Sequence, residues 1–226
     1  MKKKQYVKTG LCIALSCFVL SGCASTGSTV GKSGFLREYP TFQPGAADGV
    51  DQVYIKPGAD LKKYNKVMLD KVQFFIKKDA DYQGLQADEL TELTNAFHGA
   101  VIEAMKGGYP LVSEPGADVL HVRLAVSDIE PSNPAVSGLT TILPVGLAVS
   151  AAKKGTTGSH TGVGGASMEV EFLDSTSGER LGAAIDTYHG SKMSGLSKYG
   201  AAEEAFEFWA KRLRVTLDKA HGKAAQ

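Results

Sequence analysis

Cys23 is the residue whose type and surroundings point most directly to chemistry. It closes the string Leu20-Ser21-Gly22-Cys23, at the end of an apolar run from Leu11 to Leu20 that follows Lys2, Lys3, Lys4 and Lys8. A charged start, a short apolar segment and small residues before a cut form the layout of a secretory leader. The run is too short for a bilayer span, which takes about 20 residues. With cysteine in last place, the string looks like a lipobox, which directs thioether lipidation of the cysteine and cleavage immediately before it. Each acyl methylene buried in lipid then contributes about 0.8 kcal/mol, and several chains together make release from the bilayer negligible. Ala24 stands where an aspartate would favour inner-membrane retention, so the expected address is the outer membrane, with the domain facing the periplasm. Cys12 and Cys17 leave with the leader, and Cys23 alone cannot form an internal disulfide.

No other constellation is as sharp. His98 falls on the polar flank of an expected helix, His121 on an expected strand and His221 in the tail; only Asp186-x-x-His189 sets a carboxylate near an imidazole. On a strand, that spacing directs the two side chains to opposite faces. Structural metal sites usually show paired ligand spacings. None is present, so neither a metal nor a cofactor is expected. A serine nucleophile needs a strained turn such as G-x-S-x-G. The nearest string, Gly164-Gly165-Ala166-Ser167-Met168, lacks the closing glycine and leads into a strand.

The leading expectation is therefore a non-enzymatic envelope module that binds a protein, glycan or lipid partner. The alternative is a membrane-tethered hydrolase using Ser167 or another serine with His189 and Asp186. A third reading is a lipid-handling protein that uses the apolar stretch Ala135 to Ala152, which is interrupted by Gly138, Pro144 and Gly146. That stretch is equally suited to a buried element and to contact with lipid or a partner. The glycines of "TTGSHTGVGGAS", residues 156–167, could cradle an anion through backbone N–H groups, but no helix follows to add its dipole. "GKS" at Gly31 to Ser33 has neither the upstream glycine nor the strand of a phosphate loop.

The elements that must carry these residues follow from periodicity. Residues 1–22 are read as the leader and 23–34 as a lipidated tether, whose small polar stretch Ala24 to Gly34 has a root-mean-square reach of about 18 Å. Residues 35–226 form one domain. Its start, 35–61, is turn-rich and irregular, with Phe35, Tyr39, Phe42 and Tyr54 pinning it to the domain surface. Lys66 to Lys78 reads as a strand. A helix follows with Asp88 as N-cap and Leu90, Leu93, Phe97, Val101 and Ala104 on one face, stopped by Gly107-Gly108. Asp118 to Pro131 is a strand with Leu120, Val122, Leu124 and Val126 on one face and Val119, His121, Arg123 and Ala125 on the other.

After a long loop at 132–165, two strands form a hairpin: Ala166 to Asp174, alternating Met168, Val170 and Phe172 against Glu169, Glu171 and Leu173, and then Glu179 to Gly190. A final helix aligns Ala202, Phe206, Trp209, Leu213 and Leu217, which makes Trp209 a core anchor. Two helices and strands with one polar face fit an α+β two-layer sandwich on a mainly antiparallel sheet of about four strands.

Composition agrees with a single domain in an envelope. Removing residues 1–22 from 226 leaves 204, and taking four lysines from 25 basic residues leaves 21 against 24 acidic ones, a charge near −3. No basic footprint for nucleic acid remains, and 204 residues can bury a core without metal or disulfide.

The segments "SGFLREY", "YIKPGADLKKYNKVMLD", "GYPLVSEPGADVLHVRLAVSDIEPSNP", "TTGSHTGVGGASMEVEFLDSTSGERLGAAID" and "FEFWAKRLRVTLD" together cover most of the chain from Ser33 to Asp218. In combination they resemble a bacterial lipoprotein family known as domain of unknown function 3313. The resemblance implies a Gram-negative envelope lipoprotein and supplies no activity or catalytic residues beyond the lipidated Cys23.

Overall fold

Leu120, Val122, Leu124 and Val126 are all buried, and residues 119–130 form one long strand at the heart of a mixed sheet. The computed structural model describes residues 32–46, 49–76, 84–133 and 163–223. In chain order the elements are β1 (Gln43–Pro44), β2 (Gln52–Ile55), β3 (Lys66–Leu69), β4 (Gln73–Phe74), α1 (Ala87–Met105), β5 (Val119–Glu130), β6 (Gly165–Asp174), β7 (Arg180–His189) and α2 (Gly200–Ala220). The strand order is β1-β2-β7-β6-β5-β3, with β4 also on β5.

The α+β class and the β6–β7 hairpin follow the sequence pattern, but the sheet is larger than four strands and is mixed, with parallel pairing at its β3/β4 edge. Both β3 and β4 run parallel to β5. The single strand expected over Lys66 to Lys78 is two short ones, because one extra residue is inserted between them. The offset to β5 is 53 at Val67–Leu120 and 52 at Gln73–Ala125, the signature of a bulge on an edge. Likewise the segment 35–61, expected to be irregular, supplies β1 and β2 at the opposite edge, where β2 pairs with β7 over Gln52 to Ile55. Two- and four-residue strands are too short to show a period of two.

Both helices lie against one face. α1 begins one residue before the expected cap: Glu89 reaches back to accept the Gln86 N–H at 2.9 Å, and the helix ends at Met105 ahead of Gly107-Gly108. Leu93, Phe97, Val101 and Met105 form its buried stripe, and Ala202, Phe206, Trp209, Leu213 and Leu217 form that of α2. Phe97 stacks on Phe206 with ring centroids 4.7 Å apart, so the helices meet through their aromatics as well as through the sheet. Each such side chain contributes about 1.5–3 kcal/mol by leaving water. A bulge in β5 between Val126 and Asp128 shifts the parity of the strand, so Ile129 rather than Asp128 joins this core. Among the described residues, no helix is long and apolar enough to cross a membrane.

Candidate functional site

Between the helix layer and the sheet lies a cavity of about 250 Å³. Its floor is the helix-facing side of the sheet, with Leu124, Met168, Val170, Phe172 and Ala184, and its roof is Phe97 and Val101 of α1 with Trp209 and Leu213 of α2. Arg212 and Thr216, on the flank of the α2 stripe, supply polar groups, and Arg212 stacks its guanidinium over Phe208 at 4.6 Å. The connection from β1 to β2 closes one side with Gly45, Ala46, Gly49 and Val50. Gly45 is required there, since a Cβ would lie 1.7 Å from the Val50 carbonyl oxygen.

Asp186 fixes the geometry of this wall. Its carboxylate accepts the Trp209 indole N–H at 2.7 Å and the Asp51 backbone N–H at 2.9 Å, while the Asp51 side chain accepts the Thr187 N–H at 3.0 Å. One buried carboxylate thus ties α2, β2 and β7 together. Burial holds the Asp186 carboxyl above the usual aspartate range, opposed by its two hydrogen bonds.

The other face of the sheet is built differently. Residues 33–39 cross it as a strap whose Phe35 and Leu36 are buried with Ala125 and Ala183. Glu169, fully buried, accepts the Ser33 N–H at 2.6 Å and the Tyr39 hydroxyl at 2.8 Å. Glu171, also buried, pairs with Arg123 and with Arg180 Nε at 2.9 Å. Arg180 then donates to the carbonyls of Glu38 and Leu36 at 2.7 and 2.9 Å, and Arg123 lies over the Phe35 ring at 5.0 Å. The four aromatics expected to pin the start of the domain do so: Phe35 is buried with Leu36, Ala125 and Ala183, and Tyr39, Phe42 and Tyr54 pack against that cluster.

The sequence candidates are not brought together. Ser167 is buried on the strap face and shares a hydrogen bond of 2.9 Å with Thr187. Asp186 points to the helix face, and His189, three residues on, is exposed on the other. The hydrolase alternative therefore lacks its triad geometry, because β7 continues through both residues and keeps strand alternation. His121 bonds Asp70 at 2.8 Å, and His221 Nδ1 faces the Leu217 carbonyl at 2.8 Å, near the Tyr109–Asp218–Arg214 cluster that joins the ends of the helices. Trp209 is the core anchor its stripe implied. Cys23, the Gly-rich stretch up to Gly162 and the apolar stretch Ala135 to Ala152 lie outside the described residues.

Sequence reasoning missed the buried acids. Glu169 and Glu171 read as the polar side of β6, and the available signal was Arg123, directly opposite Glu171 on β5; Arg180 stands opposite Leu173 on β7 and reaches Glu171 diagonally.

A family model described as "Protein of unknown function (DUF3313)" matches residues 31–213, the part of the chain that carries the whole sheet and most of both helices. The chain belongs to that family. No curated protein matches. Among solved structures, the PelC dodecamer from Paraburkholderia phytofirmans is similar at 13% identity and a TM-score of 0.39, over 69% of this chain and 93% of that one. A DUF4136 family protein from Bacteroides thetaiotaomicron is similar at 11% identity and a TM-score of 0.36, over 75% of this chain and 95% of that one. Scores this low carry no functional argument.

Proposed function

We propose that this DUF3313 protein is an outer-membrane lipoprotein, anchored through acyl chains on Cys23, whose periplasmic domain is a non-enzymatic binding module taking an apolar ligand in the helix–sheet cavity. The observation that carries the binding reading is the cavity itself: a pocket walled by Leu, Val, Met, Phe and Trp side chains with two polar groups at its edge, the form small-molecule sites usually take. The anchoring reading is supported by the lipobox-like string Leu20-Ser21-Gly22-Cys23 that follows a charged and then apolar leader.

Anchoring is tested with Cys23→Ser, which leaves uncleaved precursor with no acyl label; a mature-length product from that variant removes the lipoprotein reading. Binding is tested by lipid extraction and mass spectrometry of the purified protein and by titration with a fluorescent acyl probe. Ala184→Phe, which fills the cavity, abolishes probe binding. Unchanged binding in the folded variant rejects the cavity as the site.

A further inference from the structure

Asp186 is a buried titratable group set against the wall of the cavity. It stands opposite Met168 on β6, two residues past Ala184 on β7 and against Trp209 of α2, and all three of those residues line the cavity. Both of its hydrogen bonds come from neutral donors, the Trp209 indole and the Asp51 backbone. The β2–β7 register, which pairs Gln52 with Ile185, brings Asp51 opposite Asp186 at the next step. There the side chains replace the backbone ladder: the Asp51 N–H donates to Asp186 Oδ1, and the Thr187 N–H donates to Asp51 Oδ2. Among the described residues, the charged groups that act on Asp186 are the Asp51 carboxylate from β2 and the Arg212 guanidinium from α2. Met168 of β6 and Phe97 of α1, which meets Trp209 at 5.7 Å, do not titrate.

A charged acceptor holds an N–H group roughly twice as strongly as a neutral one. The ionised carboxylate therefore fixes the Trp209 ring as part of the cavity roof, and a protonated carboxyl fixes it less. Burial, and then the charge of Asp51, hold Asp186 above its unfolded value of about 3.9, against its two hydrogen bonds and Arg212. The folded state thus takes up a proton before the unfolded chain does. By linkage, the contribution of this group to stability grows as pH falls between those two values. Acid at this residue slackens the tie to Trp209 without loosening the fold.

We propose that Asp186 is the positioning residue of the cavity and makes it acid-sensitive: ionised, it holds Trp209 for an apolar ligand, and protonated, it lets the ring move and the ligand go. The inference rests on the cavity being the binding site. A wall already fixed in the bound geometry has less freedom to lose on binding, so the ionised form binds more tightly. The coupling is reciprocal, and ligand uptake must favour the ionised form by the same factor. Binding in the titration range of Asp186 therefore expels protons. Asp186 touches the ligand only through Trp209, which separates its role from that of the cavity-lining side chains.

The test uses the purified full-length chain in detergent micelles and N-phenyl-1-naphthylamine, a neutral apolar probe, from about pH 8 down to about pH 4, just above the ordinary aspartate value. Ala184→Phe, with its cavity filled, gives the micelle background at each pH. Wild-type affinity falls about fivefold toward acid, the ratio expected between a charged and a neutral acceptor, while far-UV circular dichroism is unchanged. Trp209 is the only tryptophan, so 5-fluorotryptophan gives a single fluorine resonance, which moves with the same midpoint. Asp186→Asn binds weakly at every pH, with no midpoint in either measurement. Trp209→Phe keeps the carboxylate and loses the tie, so its binding is also flat with pH, which covers the case of an Asp186→Asn chain that does not fold. A flat wild-type profile, or a pH dependence that survives in either variant, overturns the proposal and leaves the cavity as the site. Equal probe binding by wild type and Ala184→Phe at neutral pH removes the site and the proposal together.

Discussion

Neighbouring residues of β6 face two different kinds of interior. Met168, Val170 and Phe172 point into the helix layer, where apolar area and stacked aromatics hold the structure and leave room for a cavity. Ser167, Glu169 and Glu171 point into the strap face, where buried carboxylates are matched to arginines, a tyrosine and backbone N–H groups. The first kind of interior tolerates changes of shape if volume is kept. The second does not tolerate the loss of a partner, because the charge left behind stays buried.

The most severe test of this contrast is Glu171→Ala, which strands the guanidinium groups of Arg123 and Arg180 beside a buried strap. A loss of about 3–5 kcal/mol is expected, read from the urea midpoint at unchanged slope. A loss below about 1 kcal/mol would mean that the network is solvated and the contrast false. Glu169→Gln is the milder version: an amide has one acceptor for two donors, Ser33 N–H and Tyr39 hydroxyl, so one is left unmet at about 2 kcal/mol. Faster hydrogen exchange confined to residues 33–39 would show that the loss is local to the strap.

Tyr39→Phe removes the hydroxyl that donates to Glu169 and accepts the exposed Gly34 N–H, and is expected to cost about 1 kcal/mol near neutral pH. It also carries a pH signature. Burial, and next the Glu169 carboxylate that accepts its hydrogen bond, hold the Tyr39 hydroxyl above the ordinary tyrosine range. Its contribution is therefore complete below the unfolded value of about 10 and is lost as pH rises through the folded-state value. The gap between wild type and Tyr39→Phe should close in strong alkali, as measured by urea unfolding across that range.

The helix face was legible in the sequence because periods of 3.6 and 2 are themselves consequences of burial on one side. Spacing makes Trp209 a core anchor and puts Phe97, Leu124 and Val170 each on the apolar face of its element. The strap face was not legible. Alternation of Met168 with Glu169 looks the same whether the glutamate meets water or an arginine, and the covering strap at 33–39 has no period at all. Asp186 was half legible: its spacing to His189 ruled out a shared face, but its bond to Trp209 depends on how α2 lies across the sheet. The expectation for Cys23 stands apart, since it comes from local sequence chemistry alone and lies outside the described residues.

Met168→Leu gives the smallest expected effect and the closest control for the contrast. It sits one residue before Glu169, on the same strand, under the same backbone hydrogen bonds to β5 and β7. The two side chains are of similar size, and Met168 borders a cavity that can absorb a branched tip. The expected loss is about 1 kcal/mol or less, with no change in hydrogen exchange at residues 33–39. If this substitution cost as much as Glu169→Gln, sensitivity would belong to β6 as a strand and not to the face each residue presents. If it stays small while its neighbour does not, a step of one residue along the chain separates an interior held by area from one held by pairing, which leaves the area-held side free to change its contents.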